Sequence, residues 1–458
     1  MKRISTYTLG CKLNVAESSA LAQAFLKQGY KLVPFGEETD LTIINTCSVT
    51  EHADAKCRNA VRKALKHSPE SYIAVVGCYA QLEPETLASI EGVDAVLGAK
   101  EKFEMTSLLN DFQKTGEARI FVSDISTVDT FGFGHSILLD RQHDQTRAYL
   151  KVQDGCDYNC SYCTIPLARG ASRSESIEKT VMQARLLIDA GYQEIVLTGV
   201  NIGDYGVKFG ASFFELLQAL NDLPIPRLRI SSIEPNLLTS EMIDFIAAST
   251  RIVPHFHLPM QSGSAEILKL MRRRYNKDLY RERVLEVVSK IPHVCIGADV
   301  IVGFPSETDE QFEETYEFIQ SLPISYLHIF TFSERPNTHA ADLLASATLT
   351  AVPAIVKKAR NQKLHELSYF KKKAFVSRFL GETVEVLFEN EFSDDADISD
   401  GLQPTEKLCV YGHSANYVRV GIEVPSKEWA RETLVGQLRQ VRLMSIDSDL
   451  NAIGALTN

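Results

Sequence analysis

Short apolar, β-rich runs recur near the start of the chain at 3–9, 41–45 and 72–76, with helix-like stretches between them at 16–28 and 53–67. This alternation predicts a small parallel α/β sheet. A polar, glycine-punctuated stretch at 122–147 lacks such patterning and reads as a linker. The alternation then resumes on a longer scale. Strands are expected at 148–153, 194–198, 228–232, 255–259, 295–302 and 326–331, and helices at 176–190, 213–221, 240–249, 279–290 and 309–321. Six strand–helix units in a row predict a barrel or partial barrel of parallel strands. A basic helical stretch follows at 355–379. Short β-like runs at 384–388, 408–411, 417–420 and 440–445, broken by Gly, Asp and Pro, predict a small β-barrel. The expected fold class is α/β: a parallel α/β domain at 1–121, a linker at 122–141, a partial (β/α)6 barrel at 142–371, a small β-barrel at 372–446 and a tail at 447–458. The acidic run at 389–397 reads as a solvated loop.

Composition narrows the class. A chain of 458 residues suits about three domains at ~150 residues each. With 45% hydrophobic and 23% charged residues it resembles an ordinary globular protein. No apolar stretch is long enough to cross a bilayer, and the first residues lack a signal peptide's apolar region. The expectation is a cytoplasmic protein without a membrane partner. Nine cysteines in that compartment do not read as disulfides; metal ligation, catalysis and core packing remain. The formal net charge of -11 argues against a nucleic-acid partner unless cations gather on a local surface.

The chemistry starts at Cys156, Cys160 and Cys163, a C-x₃-C-x₂-C run at the end of the first barrel strand. Thiolates are the ligands of iron–sulfur clusters. Three close cysteines suit three irons of a [4Fe-4S] cube and leave the fourth open. A mononuclear structural zinc site wants four ligands, and no neighbouring His or Cys supplies the fourth. The spacing resembles the radical S-adenosylmethionine (SAM) superfamily. That resemblance implies that the open iron chelates SAM, and that electron transfer from the cluster cleaves it to a 5′-deoxyadenosyl radical. Barrel sites lie at the carboxyl ends of strands, which makes Thr198, Gly199, Asn201, Ser232, Glu234, Gln261 and Gly303 candidates for SAM contacts. Each is also compatible with an ordinary loop role.

Cys11, Cys47 and Cys78 are distant in sequence, yet each falls just past the carboxyl end of a predicted parallel strand. Open α/β sheets bind ligands at that edge, so the three thiols are able to converge; the alternative is three buried core cysteines. With the first triplet they resemble the methylthiotransferase family over nearly the whole chain. That family carries an auxiliary cluster domain, a radical SAM barrel and a TRAM β-barrel. The resemblance implies two [4Fe-4S] clusters and SAM, with Cys11, Cys47 and Cys78 holding the auxiliary cluster. Cys57, Cys295 and Cys409 are left over and read as structural.

The wording Thr8-Leu9-Gly10-Cys11-Lys12-Leu13-Asn14 with Glu17-Ser18, and Cys160 to Pro166 with Ala168-Arg169-Gly170, is similar to the MtaB branch. The resemblance implies methylthiolation of C2 of N6-threonylcarbamoyladenosine at tRNA position 37. It further implies a tRNA partner, an electron donor and a sulfur source. Isopentenyladenosine in tRNA, an aspartate of a ribosomal protein, and a non-enzymatic iron–sulfur RNA-binding protein are the alternatives. No conventional acid–base dyad or triad stands out, and the chemistry falls to the cofactors. For RNA contact, residues 355–379 hold eight Lys/Arg against one acid. Lys371, Lys372 and Lys373 are the candidates there, and Arg169 and Arg173 are candidates for SAM or substrate phosphate. A solvated helix face and plain salt bridges are the bland alternatives. The last module adds a difficulty, since 382–458 holds fourteen acids and six Lys/Arg.

Overall fold

The computed structural model describes residues 1–47, 53–109, 112–136, 146–393 and 408–457. Part of the expected linker, 137–145, and four residues of the acidic run, 394–397, lie outside the described residues. Among the described residues no helix is long and apolar enough to cross a membrane.

The first domain is a six-stranded parallel sheet ordered Lys31–Leu32, Arg3–Thr8, Leu41–Thr46, Tyr72–Gly77, Ala95–Leu97, Arg119–Phe121. Its central strands, Leu41–Thr46 and Tyr72–Gly77, are buried along their whole length, as expected where helices cover both faces. The helix expected at 16–28 runs Lys12–Leu26 and begins immediately after Cys11. Tertiary partners explain the early start. Asn14 is fully buried, and its amide donates to the carbonyls of Leu9 and Thr46.

The central unit contains the six expected strands. Ala148–Lys151, Glu194–Thr198 and Arg227–Ile230 form one parallel sheet, and His255–His257, Cys295–Val302 and Tyr326–Thr331 another. Bridges Leu228–Ile252 and Ser232–His257 link the two halves. The first and last strands do not pair with each other, so the barrel is partial. Outer helices start where the sequence places caps. Ser212 with Glu215 and Thr308 with Gln311 form capping boxes, each satisfying two otherwise orphaned N–H groups. The first domain's helix Lys12–Leu26 packs against the barrel's edge strand Ala148–Lys151.

The last domain is a closed five-stranded barrel ordered Thr383–Phe392, Cys409–Ser414, Arg419–Glu423, Ala452–Leu456, Leu438–Ile446. This corrects the tail expected at 447–458. Ala452–Leu456 pairs with both Arg419–Glu423 and Leu438–Ile446 and closes the barrel. Two further boundaries shift. Helix Ala354–Ser377 runs unbroken through the 371/372 boundary. The expected linker is strapped down, with the Ser136 N–H bonded to the Tyr149 carbonyl and the Lys151 N–H to that of Gly134.

Tyr417, on a turn of the last domain with φ of 65°, enters the barrel where its strands begin. Its ring centroid lies 4.4 Å from that of His255 and 6.4 Å from that of Tyr326. The guanidinium groups of Arg229 and Arg147 lie 5.0 and 5.9 Å from its centroid. Arg227 donates to the carbonyls of His413 and Glu385, and Arg147 pairs with Glu389. Together these contacts make a polar floor under the barrel.

Candidate functional site: two thiol triads around one junction

The loop carrying the first triad is set by Gly155, whose φ is 71° and which has no room for a Cβ against the backbone of Gly170 and Ala171. The Cys156 N–H bonds the Gly170 carbonyl at 3.0 Å. Cys156, Cys160 and Cys163 face one cavity of about 720 Å³ above the barrel. Burial pushes the Cys156 thiol up to about 12 and the Cys163 thiol up to about 11. Such thiols ionise only beside compensating positive charge, as metal ligation provides.

Four of the expected SAM contacts, Asn201, Ser232, Glu234 and Gln261, line this cavity. The Asn201 Oδ1 is buried without a partner, an orphaned acceptor of the kind a ligand's amino group satisfies. Three other candidates lie outside its lining. Thr198 is buried, and its carbonyl accepts from the Val152 N–H. Gly199 shapes the following turn, where the N–H groups of Val200 and Asn201 both donate to Gln153 Oε1. Gly303 lies beside Lys357 in a separate cavity of about 190 Å³, and its N–H donates to Glu307. Neither it nor Thr198 nor Gly199 lines the thiol cavity.

The basic run Arg272–Arg274 supplies a residue absent from the sequence-derived candidates. Arg273 reaches the cavity, donates to Cys160 Sγ at 3.1 Å and pairs with Glu234. Arg274 stacks over Tyr158 and bonds the Asp157 carbonyl. Only the tight Cys160 spacing pointed to this neighbourhood; no local signal marks Arg273 itself.

The second triad sits at the carboxyl edge of the first sheet. Cys11 precedes helix Lys12–Leu26, Cys47 follows Leu41–Thr46, and Cys78 follows Tyr72–Gly77. Gly10, with φ of 109°, leaves no room for a Cβ, which would lie 3.1 Å from Cys47 Sγ. Cys11 is the N-cap of a helix whose first turn carries no acid, and a helix N-terminus favours nearby negative charge. Burial pushes the Cys78 thiol up, against the opposing pull of Arg169.

Arg169 itself joins the two halves. It follows the first triad, is buried, and donates from Nε to Cys78 Sγ at 3.2 Å. It also pairs with Glu17 and Asp154 and bonds Asn14 Oδ1 at 2.6 Å. Lys102 and Lys151 complete the network on Glu17 at 2.6 and 2.8 Å, and Lys151 and Arg173 reach Asp154. Arg169 and Arg173 therefore make the salt bridges that were the alternative to a place on SAM or substrate phosphate, at the junction between domains. Four cations against two carboxylates leave surplus positive charge beside Cys78, a setting that fits an anionic thiolate-ligated cluster.

No three His, Cys, Asp or Glu side chains among the described residues converge tightly enough for a single ion.

The expected cationic patch on helix Ala354–Ser377 is largely committed to the fold. Lys371 donates to the Leu322 carbonyl at 2.7 Å and Lys372 to that of Asp449 at 3.2 Å. Burial lowers Lys371 to about 8. Arg360 pairs with Glu307 and Asp309, and Lys363 with Glu313. Lys373 alone of the three expected lysines is exposed.

Fold and site together define a radical SAM protein, and residues 150–319 match the Radical SAM superfamily model. Residues 3–98 match the family described as Uncharacterized protein family UPF0004. The chain belongs to the radical SAM methylthiotransferases, in the branch of the threonylcarbamoyladenosine tRNA methylthiotransferases. It is 36% identical over 447 residues to the threonylcarbamoyladenosine tRNA methylthiotransferase MtaB of Bacillus subtilis, covering 97% of this chain and 94% of that one. It is 37% identical over 390 residues to the protein of that name from Aquifex aeolicus, covering 85% and 93%. A tRNA-2-methylthio-N(6)-dimethylallyladenosine synthase of Staphylococcus haemolyticus is 30% identical over 448 residues, covering 94% and 84%. Among solved structures, the radical SAM methyltransferase TsrM of Kitasatospora setae superposes with a TM-score of 0.56 at 15% identity, covering 76% and 78%, which supports the fold.

Proposed function

We propose that this chain transfers a methylthio group to C2 of N6-threonylcarbamoyladenosine at position 37 of tRNA, using SAM and two [4Fe-4S] clusters. When bound, these groups supply the methyl, the sulfur and the radical chemistry that an unactivated aromatic C–H requires. The single observation that carries the reading is Arg169. Placed just after one triad, it donates to a cysteine of the other, so both thiol sets serve one junction. Cys156, Cys160 and Cys163 hold the SAM-binding cluster, and Cys11, Cys47 and Cys78 the auxiliary one. Asn201, Ser232, Glu234 and Gln261 contact SAM, with Arg273 fixing the Glu234 carboxylate beside Cys160. Tyr417 and its neighbours keep water from the lumen below. An external reductant and a sulfur source complete the requirement.

The test is mass spectrometry of tRNA nucleosides from cells with and without the gene. Loss of 2-methylthio-N6-threonylcarbamoyladenosine on deletion is expected. Loss of the isopentenyl-type product instead, or of a methylthio group on a ribosomal protein, would refute the assignment.

A further inference from the structure

Below the thiol cavity the barrel lumen carries a second set of polar groups. Asp299 lines the cavity itself. His257 pairs with it through Nε2 at 2.9 Å. The ring of His328 has its centroid 5.3 Å from that of His257. Lys12 enters from the first domain, one residue after Cys11, with its ammonium 6.0 Å from the Tyr417 ring centroid. Burial and then the neighbouring His257 lower the His328 imidazole, against the opposing pull of Asp299, with Lys12 a smaller contributor.

The charges around Lys12 decide what it is free to bind. Arg229 is paired with Glu194, Arg147 with Glu389 and Arg227 with Glu385. Asp299 is held by His257. Among the described residues no carboxylate lies within ion-pair range of Lys12. Burial lowers the Lys12 ammonium, and Arg147 and Arg229 nearby push the same way against the opposing pull of Tyr417, so an incoming anion would restore the charged form; the Arg229 Nη1 is buried without a partner. A half-buried cation amid further cations recruits an anion.

Resting on the function proposed above, we propose that Lys12, with His328 as a neighbouring hydrogen-bonding group, binds the carboxylate of the threonylcarbamoyl arm and so selects the modified nucleoside. The base enters between the thiol triads, and its amino-acid arm reaches down the lumen. A threonylcarbamoyl group ends in a carboxylate and a hydroxyl. A dimethylallyl group offers neither, and leaves these polar groups without partners when it displaces water. Discrimination of this kind is strong, because a site built for polar contacts loses them with the wrong ligand.

The experiment measures binding of anticodon stem-loop RNAs to the cluster-loaded full chain by fluorescence anisotropy. Four RNAs differ only at position 37: threonylcarbamoyladenosine, its carboxyl methyl ester, dimethylallyladenosine and adenosine. The carboxylate RNA is expected to bind about tenfold tighter than the other three. Lys12→Met and His328→Ala should each shrink that ratio towards one without changing the affinity for the adenosine RNA. Iron and sulfide content is read for both. Because Lys12 adjoins a cluster ligand, His328→Ala serves as the independent variant should Lys12→Met lose iron. Equal binding of acid and ester by the unaltered protein would overturn the inference, as would an undiminished ratio in His328→Ala. If methylthiolation of the threonylcarbamoyl RNA persists in either case, the function stands and only the recognition site is wrong. If no such product forms, the function itself fails.

Discussion

Glu17→Gln tests the junction that holds the two triads together. The Glu17 carboxylate is fully buried and accepts from Lys102 at 2.6 Å, Lys151 at 2.8 Å and Arg169 at 3.0 Å. The amide keeps the shape but removes the charge. Four buried cations then share the single carboxylate of Asp154. Breaking one side of a buried ionic network costs about 3–5 kcal/mol. At ~2–4 °C per kcal/mol for domains of this size, Tm should fall by about 6–20 °C. The assay is thermal unfolding followed by circular dichroism on the cluster-free chain. A second substitution, Lys102→Met, removes one surplus cation and should recover part of the loss, a non-additivity expected within one network. A fall under about 2 °C, or simple additivity in the double variant, would refute the claim that Glu17 neutralises a buried surplus.

Two further outcomes follow from the site and the floor. Cys160→Ala should abolish reductive SAM cleavage, whereas Cys47→Ala should retain cleavage and stop methylthio transfer; measuring 5′-deoxyadenosine and nucleoside product in parallel checks this, and normal cleavage by Cys160→Ala would refute the division. Glu389 is held at about 2: burial opposes its ionisation, but the His413 hydrogen bond and charge, with Arg147, outweigh that. Its depressed folded value means that its contribution, roughly 3 kcal/mol at most, is present above pH ~4.3 and lost as pH falls towards 2. Denaturant unfolding at pH 5 and pH 3 should show a smaller drop for Glu389→Gln than for the unaltered chain.

The features legible in the sequence are those encoded locally. Strand–helix alternation and six cysteines at strand ends each rest on neighbours within a few residues. Arg169 and Arg273 were not legible in their roles, because their partners lie 91 and 113 residues away in Cys78 and Cys160. Lys371 and Lys372 read as free charge because their acceptors are backbone carbonyls, which leave no mark in composition. The closing strand Ala452–Leu456 escaped notice since its Ala-Ile-Gly-Ala-Leu run lacks the in–out alternation of a half-buried strand.

Tyr417 changes what a shortened chain would report. Cutting after Ser377 removes the whole C-terminal barrel, and invites the reading that only an RNA-binding handle has gone. Here the same cut also pulls the stopper from a reaction vessel. The faces of His255, Tyr326 and Arg229 covered by Tyr417 would open to bulk water, and Arg147 would lose Glu389. Water rising through the drained base raises the effective dielectric around every charge in the lumen and offers a reactive intermediate a path to quenching. A truncated chain that cleaves SAM yet wastes it would be expected from a leaking chamber as much as from a missing RNA grip. The subtler cut is Tyr417→Ala in the intact chain, which leaves the handle in place and opens only the drain.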